Sequence, residues 1–256
     1  MTALYKLILK TNIKSPALAF PIVTPIVFIL VFVTGTNDQE LTTSFFKIIS
    51  IMLMQSGTFG FGFNMIALKK SIMLKRIGAT KIRKWEVLTA NILYGWTMLL
   101  ISLVWTTSFA FILSASGYYI SPVDGSTLHL NFAGVTGWGG NWGYIVLGIL
   151  ISILVGYSIG IMFVSLAKTD EQFAMYAMFY LFFTILLAGL LINNEIRQEI
   201  PFMVWVGYFN PTVWANSVIN FGVTGVNNEE LWLEIVVPIL MSFLAIGVSL
   251  KTFKWD

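Results

Sequence analysis

Long apolar runs separated by short polar segments dominate this chain of 256 residues. A helix rises ~1.5 Å per residue, so about 20 mostly apolar residues are needed to cross ~30 Å of hydrocarbon. No charged residue lies well inside a run, and Lys47 and Glu234 lie near the ends, where long side chains can reach the interface. The pattern predicts six membrane-spanning helices, at about 18–36, 45–67, 87–114, 143–167, 173–193 and 235–252.

Two other segments are apolar in part but do not have the pattern of a span. Residues 1–15 carry Lys6, Lys10 and Lys14 on one helical face, which predicts an amphipathic helix along the inner membrane surface. Residues 194–234 include PFMVWVGYFNPTVWANSVINFGV, an apolar stretch broken by two prolines and a glycine. It predicts two short re-entrant helices dipping into the outer leaflet, with Asn210 as the cap of the second and Pro211 as its first residue.

Composition and charge indicate a membrane protein and its orientation. Apolar residues make up 57% of the chain and charged residues only 11%, which is more apolar than soluble domains of this size. With the N-terminus in the cytoplasm, 13 of the 15 Lys and Arg residues lie on the inner side. Because positive charge marks cytoplasmic loops, both termini are expected inside. We interpret residues 1–256 as a single transmembrane domain.

Several kinds of chemistry are missing from the sequence. There is no cysteine and only one histidine, so cysteine-based and histidine-cluster metal sites are excluded. No P-loop motif occurs, so the chain is not expected to bind ATP in that way. The predicted spans carry none of the internal ionisable residues that proton- or ion-driven pumps use. A membrane protein with no energy-coupling group of its own is expected to take its energy from a partner.

The inner loop at 68–84 concentrates positive charge. From Lys69 to Lys84 it carries seven cations, and Gly78 is placed to end a helix. The apolar residues between the cations have helical spacing: Ile72, Met73 and Ile77. The pattern predicts a short amphipathic helix that docks a partner, and the simpler alternative is a loop whose charge only sets topology.

Three stretches, taken in order, resemble the permease subunits of short ATP-binding-cassette exporters. They are LKRIGATKIRKWEVLTANIL at 74–93, SIGIMFVSLAKTDEQFAM at 158–175 and WVGYFNPTVWANSVI at 205–219. With six predicted spans and a surface helix first, the resemblance covers essentially the whole chain. Lys81 departs from it, because members often have proline there, and the early loop lacks the acids common in the family.

The resemblance implies an inner coupling helix that contacts a separate ATPase. The residues it assigns to coupling are Leu74, Lys75, Arg76, Ile77, Ala79, Thr80 and Lys81, joined by Lys168, Thr169 and Asp170 in the second inner turn. It further implies two permease copies or homologues and two ATPase chains. ATP and magnesium would bind to the ATPase, so no cofactor and no enzymatic activity are expected in this chain.

The same resemblance places the first, second and fifth spans along the transport pathway. Candidate cargo residues are Gln55, Phe59, Asn64, Tyr176, Phe179, Tyr180 and Phe183. A candidate outer gate comprises Tyr208, Asn210 and Pro211. Ordinary helix packing is the alternative for the second span, and lipid-facing aromatics are the alternative for the fifth.

The predicted pathway is apolar, which favours a hydrophobic or amphipathic cargo leaving a bacterial cell. Amphipathic peptides are the preferred class, as in the phenol-soluble modulin exporter group, since aromatic and methionine surfaces adapt to varied shapes. A drug exporter or a lantibiotic exporter or immunity permease is the alternative. An ATPase-independent channel or carrier, a membrane enzyme and a non-transporting sensor are the other classes left open.

Overall fold

The computed structural model of the chain describes residues 5–6, 19–70, 84–137, 139–187, 200–226 and 230–252. The described part is predominantly helical and contains no strand. Extended pairing there is limited to an isolated antiparallel bridge between Ile120 and Thr127. The predicted all-α class is confirmed for these residues.

The helices of the first half follow the first three predicted apolar runs. They are α1 (Ala19–Phe32), α2 (Asp38–Gln55), α3 (Phe61–Lys70) and α4 (Lys84–Ala115). A π-helical turn, Ser56–Gly60, joins α2 to α3, so one helical rod runs from 38 to 70. Asn37 begins this rod by accepting a hydrogen bond from the Glu40 amide, which satisfies one of the free donors of its first turn.

The described residues of the second half contain six helices, two of which belong to the predicted re-entrant segment. They are α5 (Gly134–Gly137), α6 (Trp142–Leu166), α7 (Asp170–Leu187), α8 (Pro201–Tyr208), α9 (Pro211–Thr224) and α10 (Leu231–Thr252). Asn210 caps α9, and Pro211 takes its first position. These two assignments made from the sequence are confirmed.

Helix occupies part of every predicted span. Three helical stretches in the described residues are long and apolar enough to cross a membrane: Thr89–Ala115, Trp142–Leu166 and Leu231–Ser249. The total of six crossings stays a prediction.

Helix α6 packs at the centre of the bundle, against α2, α9 and α10. Ser50 Oγ and Ser152 Oγ are 2.6 Å apart, and Thr58 donates to the Gly156 carbonyl oxygen at 3.0 Å. The contacts move toward the C-terminus on both sides, from Ser50 to Thr58 and from Ser152 to Gly156, so α2 and α6 run parallel. Their backbones touch at Gly156, where a side chain would collide with the backbone of Met54.

Helix α9 runs in the opposite direction beside α6. At its C-terminal end, the Asn141 amide donates to the Gly222 carbonyl oxygen at 2.7 Å. At its N-terminal end, the Thr212 hydroxyl lies 2.9 Å from the Met54 sulfur. Met54 also contacts Gly156, which lies 14 residues, or ~21 Å, after the start of α6 at Trp142. The start of α9 is therefore level with Gly156. The predicted re-entrant segment therefore extends past the middle of the 25-residue α6.

Glu234 departs from the sequence-based expectation. Its side chain is only 6% exposed, so it does not reach outward to the interface. Glu234, Pro238 and Ser242 are all buried, and their spacing of four places them on the same face of α10. The packed face of α10 therefore includes the acid.

Two predicted elements lie largely outside the described residues. Of the surface helix at 1–15, Tyr5 and Lys6 are described and are helical. The Tyr5 hydroxyl lies 2.8 Å from Thr97 Oγ1 on α4. Of the coupling helix at 68–84, the stretch 71–83 is outside, and it contains the seven coupling residues from Leu74 to Lys81.

Candidate functional site

A polar node joins α7, α9 and α2 inside the bundle; we use this name for Tyr180, Thr184, Asn210, Thr212 and Met54. Tyr180 Oη donates to Asn210 Oδ1 at 3.1 Å and lies 3.0 Å from Thr212 Oγ1. Asn210 Nδ2 donates to Thr184 Oγ1 at 3.1 Å. The structure therefore brings a predicted cargo residue, Tyr180, into direct contact with a predicted gate residue, Asn210.

The local sequence explains why Asn210 occupies this position. A helix that begins inside a bundle leaves backbone N–H groups without partners, and such groups are costly away from water. Asn210 Oδ1 accepts from the Thr212 amide at 3.0 Å and so satisfies one of them. Pro211 has no N–H to satisfy and has a φ angle suited to the first helical turn. The Asn-Pro pair thus allows α9 to begin at a buried point.

The predicted cargo residues of the second span are buried. Gln55 is 1% exposed, and neither of its amide atoms has a hydrogen-bond partner among the described residues. Phe59 packs edge-on against Phe173 with ring centroids 6.3 Å apart. Asn64 is 7% exposed, and its Nδ2 has no hydrogen-bond partner among the described residues. Their proposed contact with cargo stays a prediction, and a single copy of the chain does not expose them.

The fifth predicted span, α7, presents a mixed surface. Phe179 is 65% exposed, and its ring centroid lies 4.6 Å from that of Phe183, which is half-buried. Tyr176 is half-buried against Phe163. Met175, Met178 and Phe182 are also exposed. Helix α7 therefore has an apolar outer face and a polar contact at Tyr180.

The residues predicted to form an outer gate divide between two environments. Tyr208 is about half exposed and stacks near Trp214, with ring centroids 5.4 Å apart. The Trp214 indole donates to the Tyr208 carbonyl oxygen at 3.0 Å, which ties the end of α8 to α9. Asn210 and Pro211 are buried. The structure thus places Tyr208 at the surface and the other two residues inside.

The turn predicted to lie on the inner side, Lys168–Gln172, has a defined structure before α7. Thr169 Oγ1 accepts from the Gln172 amide at 3.2 Å, and the Gln172 side chain accepts from the Lys168 amide at 2.9 Å. This reciprocal pair resembles a capping box and fixes the start of the helix. The Lys168 side chain is exposed. Among the predicted coupling residues, Thr169 therefore has a structural role already, and Lys168 is placed at the surface.

Three members of the polar node were not predicted from the sequence: Met54, Thr184 and Thr212. Thr184 and Thr212 are fully buried hydroxyls, and polar side chains in apolar helices are a usual sign of interhelical hydrogen bonds. That signal was present for both threonines. Met54 has no such signal, because a thioether in an apolar run looks like any other packing residue.

Comparisons with known proteins agree with these features. The packed apolar helices are those of an all-helical membrane protein. Three of the helices in the described residues are long and apolar enough to span a bilayer. The chain belongs to the ABC-2 type transporter family, whose model matches residues 2–222. Searches of curated proteins and of solved structures returned no match. The chain is thus a transmembrane permease of an ABC-type transporter without an ATPase site, and its family implies an ATPase partner.

Proposed function

We propose that this permease is the membrane half of an ATP-driven exporter that moves a hydrophobic or amphipathic cargo out of a bacterial cell. Two copies, or this chain and a homologue, would line the pathway, with both termini in the cytoplasm. The partner ATPase would bind ATP and magnesium. Its movement would reach the spans through the coupling helix and the Lys168–Gln172 turn.

The polar node is the observation that carries this proposal. Helix α7 begins at the inner turn and reaches Tyr180 ten residues, or ~15 Å, later. Tyr180 is bonded to the start of α9, which continues to the other end of α6. Packed helices shift as stiff units. A displacement of the inner turn would therefore move the re-entrant segment that covers the outer end of the pathway.

The exposed face of α7 supports an amphipathic cargo. Met175, Met178, Phe179 and Phe182 present flexible and aromatic side chains on one helix, and such surfaces accommodate varied apolar shapes. Amphipathic peptides, including the phenol-soluble modulin class, remain the preferred cargo. Drugs and lantibiotics are the second choice.

The cargo face can be tested with two phenylalanines of matched exposure. Phe179 on α7 is 65% exposed and Phe243 on α10 is 61% exposed. In proteoliposomes with the partner ATPase, we expect Phe179→Ala to lower ATP-dependent movement of an amphipathic helical peptide by about tenfold, the effect of losing roughly 1.4 kcal/mol of contact. Phe243→Ala should leave it unchanged. Equal transport by both variants, each correctly folded, would identify the α7 aromatics as lipid-facing.

The coupling loop needs a separate test. Charge reversal at Lys75, Arg76 and Lys81 should lower co-purification of the ATPase, with Lys251→Glu at the opposite end of the chain as the control. Unchanged ATPase binding and transport would remove the loop from the mechanism. Transport by the permease alone, with no ATPase present, would support a channel or secondary carrier instead.

A further inference from the structure

A cleft of about 1070 Å³ lies at the predicted outer end of the bundle. Its walls come from the α1–α2 turn with the first turns of α2, the loop at 118–128 and the end of α9. The residues used below are Leu30, Glu40, Ser44, Lys47 and Tyr119, all of which line it. Its size is that of a ligand site, and it is separate from the polar node.

The walls of this outer cleft are fixed by hydrogen bonds between distant segments. Ser121 Oγ donates to the Thr36 carbonyl oxygen at 3.0 Å. The His129 amide donates to Asp38 Oδ1 at 2.9 Å, and the Asn131 amide donates to Thr42 Oγ1 at 3.2 Å. Residues 121–131 are thus attached to the α1–α2 turn at one point and to α2 at two, so the cleft is preformed.

One wall carries an acid and a cation in register. Glu40, Ser44 and Lys47 are spaced four and three residues apart and all line the cleft, so they share one face of α2. The two charged residues are about 10 Å apart along the helix axis. Thr36 donates through its amide at 2.8 Å and its hydroxyl at 2.6 Å, both to Glu40 Oε2. Oε1 takes no hydrogen bond from the described residues, so it can accept one from a ligand.

A hydrogen-bond donor is left over in the opposite wall. Tyr119 is 4% exposed, and its hydroxyl has no hydrogen-bond partner in the described part of the chain. Burial raises the pKa of Tyr119 to about 12, so the phenol stays protonated at neutral pH. A buried hydroxyl without a partner is costly.

The cleft is continuous with an apolar surface. Leu30 lines it and is exposed, and Val23 and Val27 on the same helix are exposed at spacings of three and four. These three side chains form an apolar strip on one face of α1. Lys47 lies near the predicted outer boundary of the second span, and Glu40 lies two turns beyond it. From the membrane outward, the order is therefore apolar strip, cation and acid.

We propose that the outer cleft binds the headgroup of a zwitterionic phospholipid that carries a primary ammonium group. The phosphate lies at Lys47 and Ser44, the ammonium group donates to Glu40, and an acyl chain lies on the Val23–Val27–Leu30 strip. This order matches such a lipid, whose ammonium group is farther from the acyl chains than its phosphate. Both headgroup contacts would be charge-assisted, the stronger class of hydrogen bond.

The test measures which lipids stay on the full-length protein. The chain is placed in vesicles of phosphatidylethanolamine, phosphatidylglycerol and phosphatidylcholine in equal amounts, extracted mildly and examined by native mass spectrometry. We expect phosphatidylethanolamine to be retained about fivefold over the other two. Lys47→Gln should lower retention of all three about tenfold, and Glu40→Gln should remove the preference while leaving most of the retention.

Three controls keep the result interpretable. Lys251→Gln, at the other end of the chain, should change nothing. Lys47→Arg should keep most of the retention, and Ser44→Ala should lower it even if Lys47→Gln does not fold. Equal retention of the three lipids by the unmodified chain, or an unchanged preference in Glu40→Gln, would overturn the proposal. Displacement of the lipid by an amphipathic peptide would also overturn it and assign the cleft to cargo.

Discussion

Helices α6 and α10 are both strongly apolar and membrane-length, yet they occupy opposite environments. In their apolar stretches, 61% of α6 but only 17% of α10 is buried inside the protein. The difference follows from small residues. Helix α6 carries Gly148, Ser152, Gly156 and Gly160 at intervals of four, whereas the sole glycine of α10, Gly247, has open space around it.

This contrast shows what organises a bundle in lipid. Apolar side chains gain little by leaving lipid for a protein interior, so hydrophobicity alone does not draw helices together. A row of small residues lets backbones approach closely and brings polar groups within reach of a neighbour. One serine from each helix illustrates the contrast. Ser152 is within 2.6 Å of Ser50 on α2, while Ser242 of α10 donates to Pro238 of its own helix.

The largest expected effect comes from filling the closest contact. We expect Gly156→Leu to destabilise the protein by about 3 kcal/mol or more, since the new side chain would meet the Met54 backbone, which cannot move aside easily. Gly247→Leu is the matched control and should be nearly neutral. Thermal unfolding in detergent, followed by fluorescence-detected size exclusion, measures both. Equal melting temperatures for the two variants would contradict the explanation that close glycine contacts place α6, and not α10, in the interior.

A smaller effect is expected at the polar node. Asn210→Ala removes the cap of α9, removes the bond to Thr184 and leaves Tyr180 with Thr212 alone, so we expect a loss of about 1–3 kcal/mol. Ser242→Ala on α10 removes a hydrogen bond within one helix and should cost less. The same melting assay applies. A larger loss for Ser242→Ala than for Asn210→Ala would contradict the view that bonds between helices determine the interior.

Sequence patterns predicted features that depend on neighbours along the chain. The apolar runs located the helices, and Asn-Pro predicted the start of α9, since caps are local chemistry. The burial of Glu234 and the bond between Tyr180 and Asn210 were not predicted, because they depend on how α10, α7 and α9 pack. The π-helical turn at Ser56–Gly60 was also not predicted; polar and glycine residues marked that stretch without specifying the turn. The small-residue row of α6 was an available signal for its central position.

The contact between α2 and α6 should be measurable as a pairwise energy. Ser50→Ala and Ser152→Ala, alone and together, form a double-mutant cycle. We expect a coupling of about 0.6 kcal/mol, the usual value for hydrogen bonds between membrane helices. Pairing Ser50→Ala with Ser242→Ala should give additive losses, because Ser242 bonds only within α10. A coupling near zero for Ser50 and Ser152 would leave the close glycine contacts and the Thr58–Gly156 bond as the basis of the contact with α6.

The smallest effect is expected at Glu40, a surface residue that takes no part in the packing of α6 or α10. The Thr36 hydroxyl and amide hold the pKa of Glu40 below its ordinary value of 4.5. A carboxyl whose pKa is lowered by folding stabilises the protein above the unfolded pKa, and that stabilisation is lost as the pH falls through the folded pKa. Because Glu40 is exposed, solvent screening limits the contribution to a few tenths of a kcal/mol. Melting of Glu40→Gln against the unmodified chain should therefore show a small deficit at pH 7 that closes as the pH falls through the folded pKa, which lies below 4.5. A deficit that widened on acidification would contradict a lowered pKa for Glu40. A deficit as large as that of Gly156→Leu would mean that a surface hydrogen bond contributes as much stability as the helix packing that separates α6 from α10.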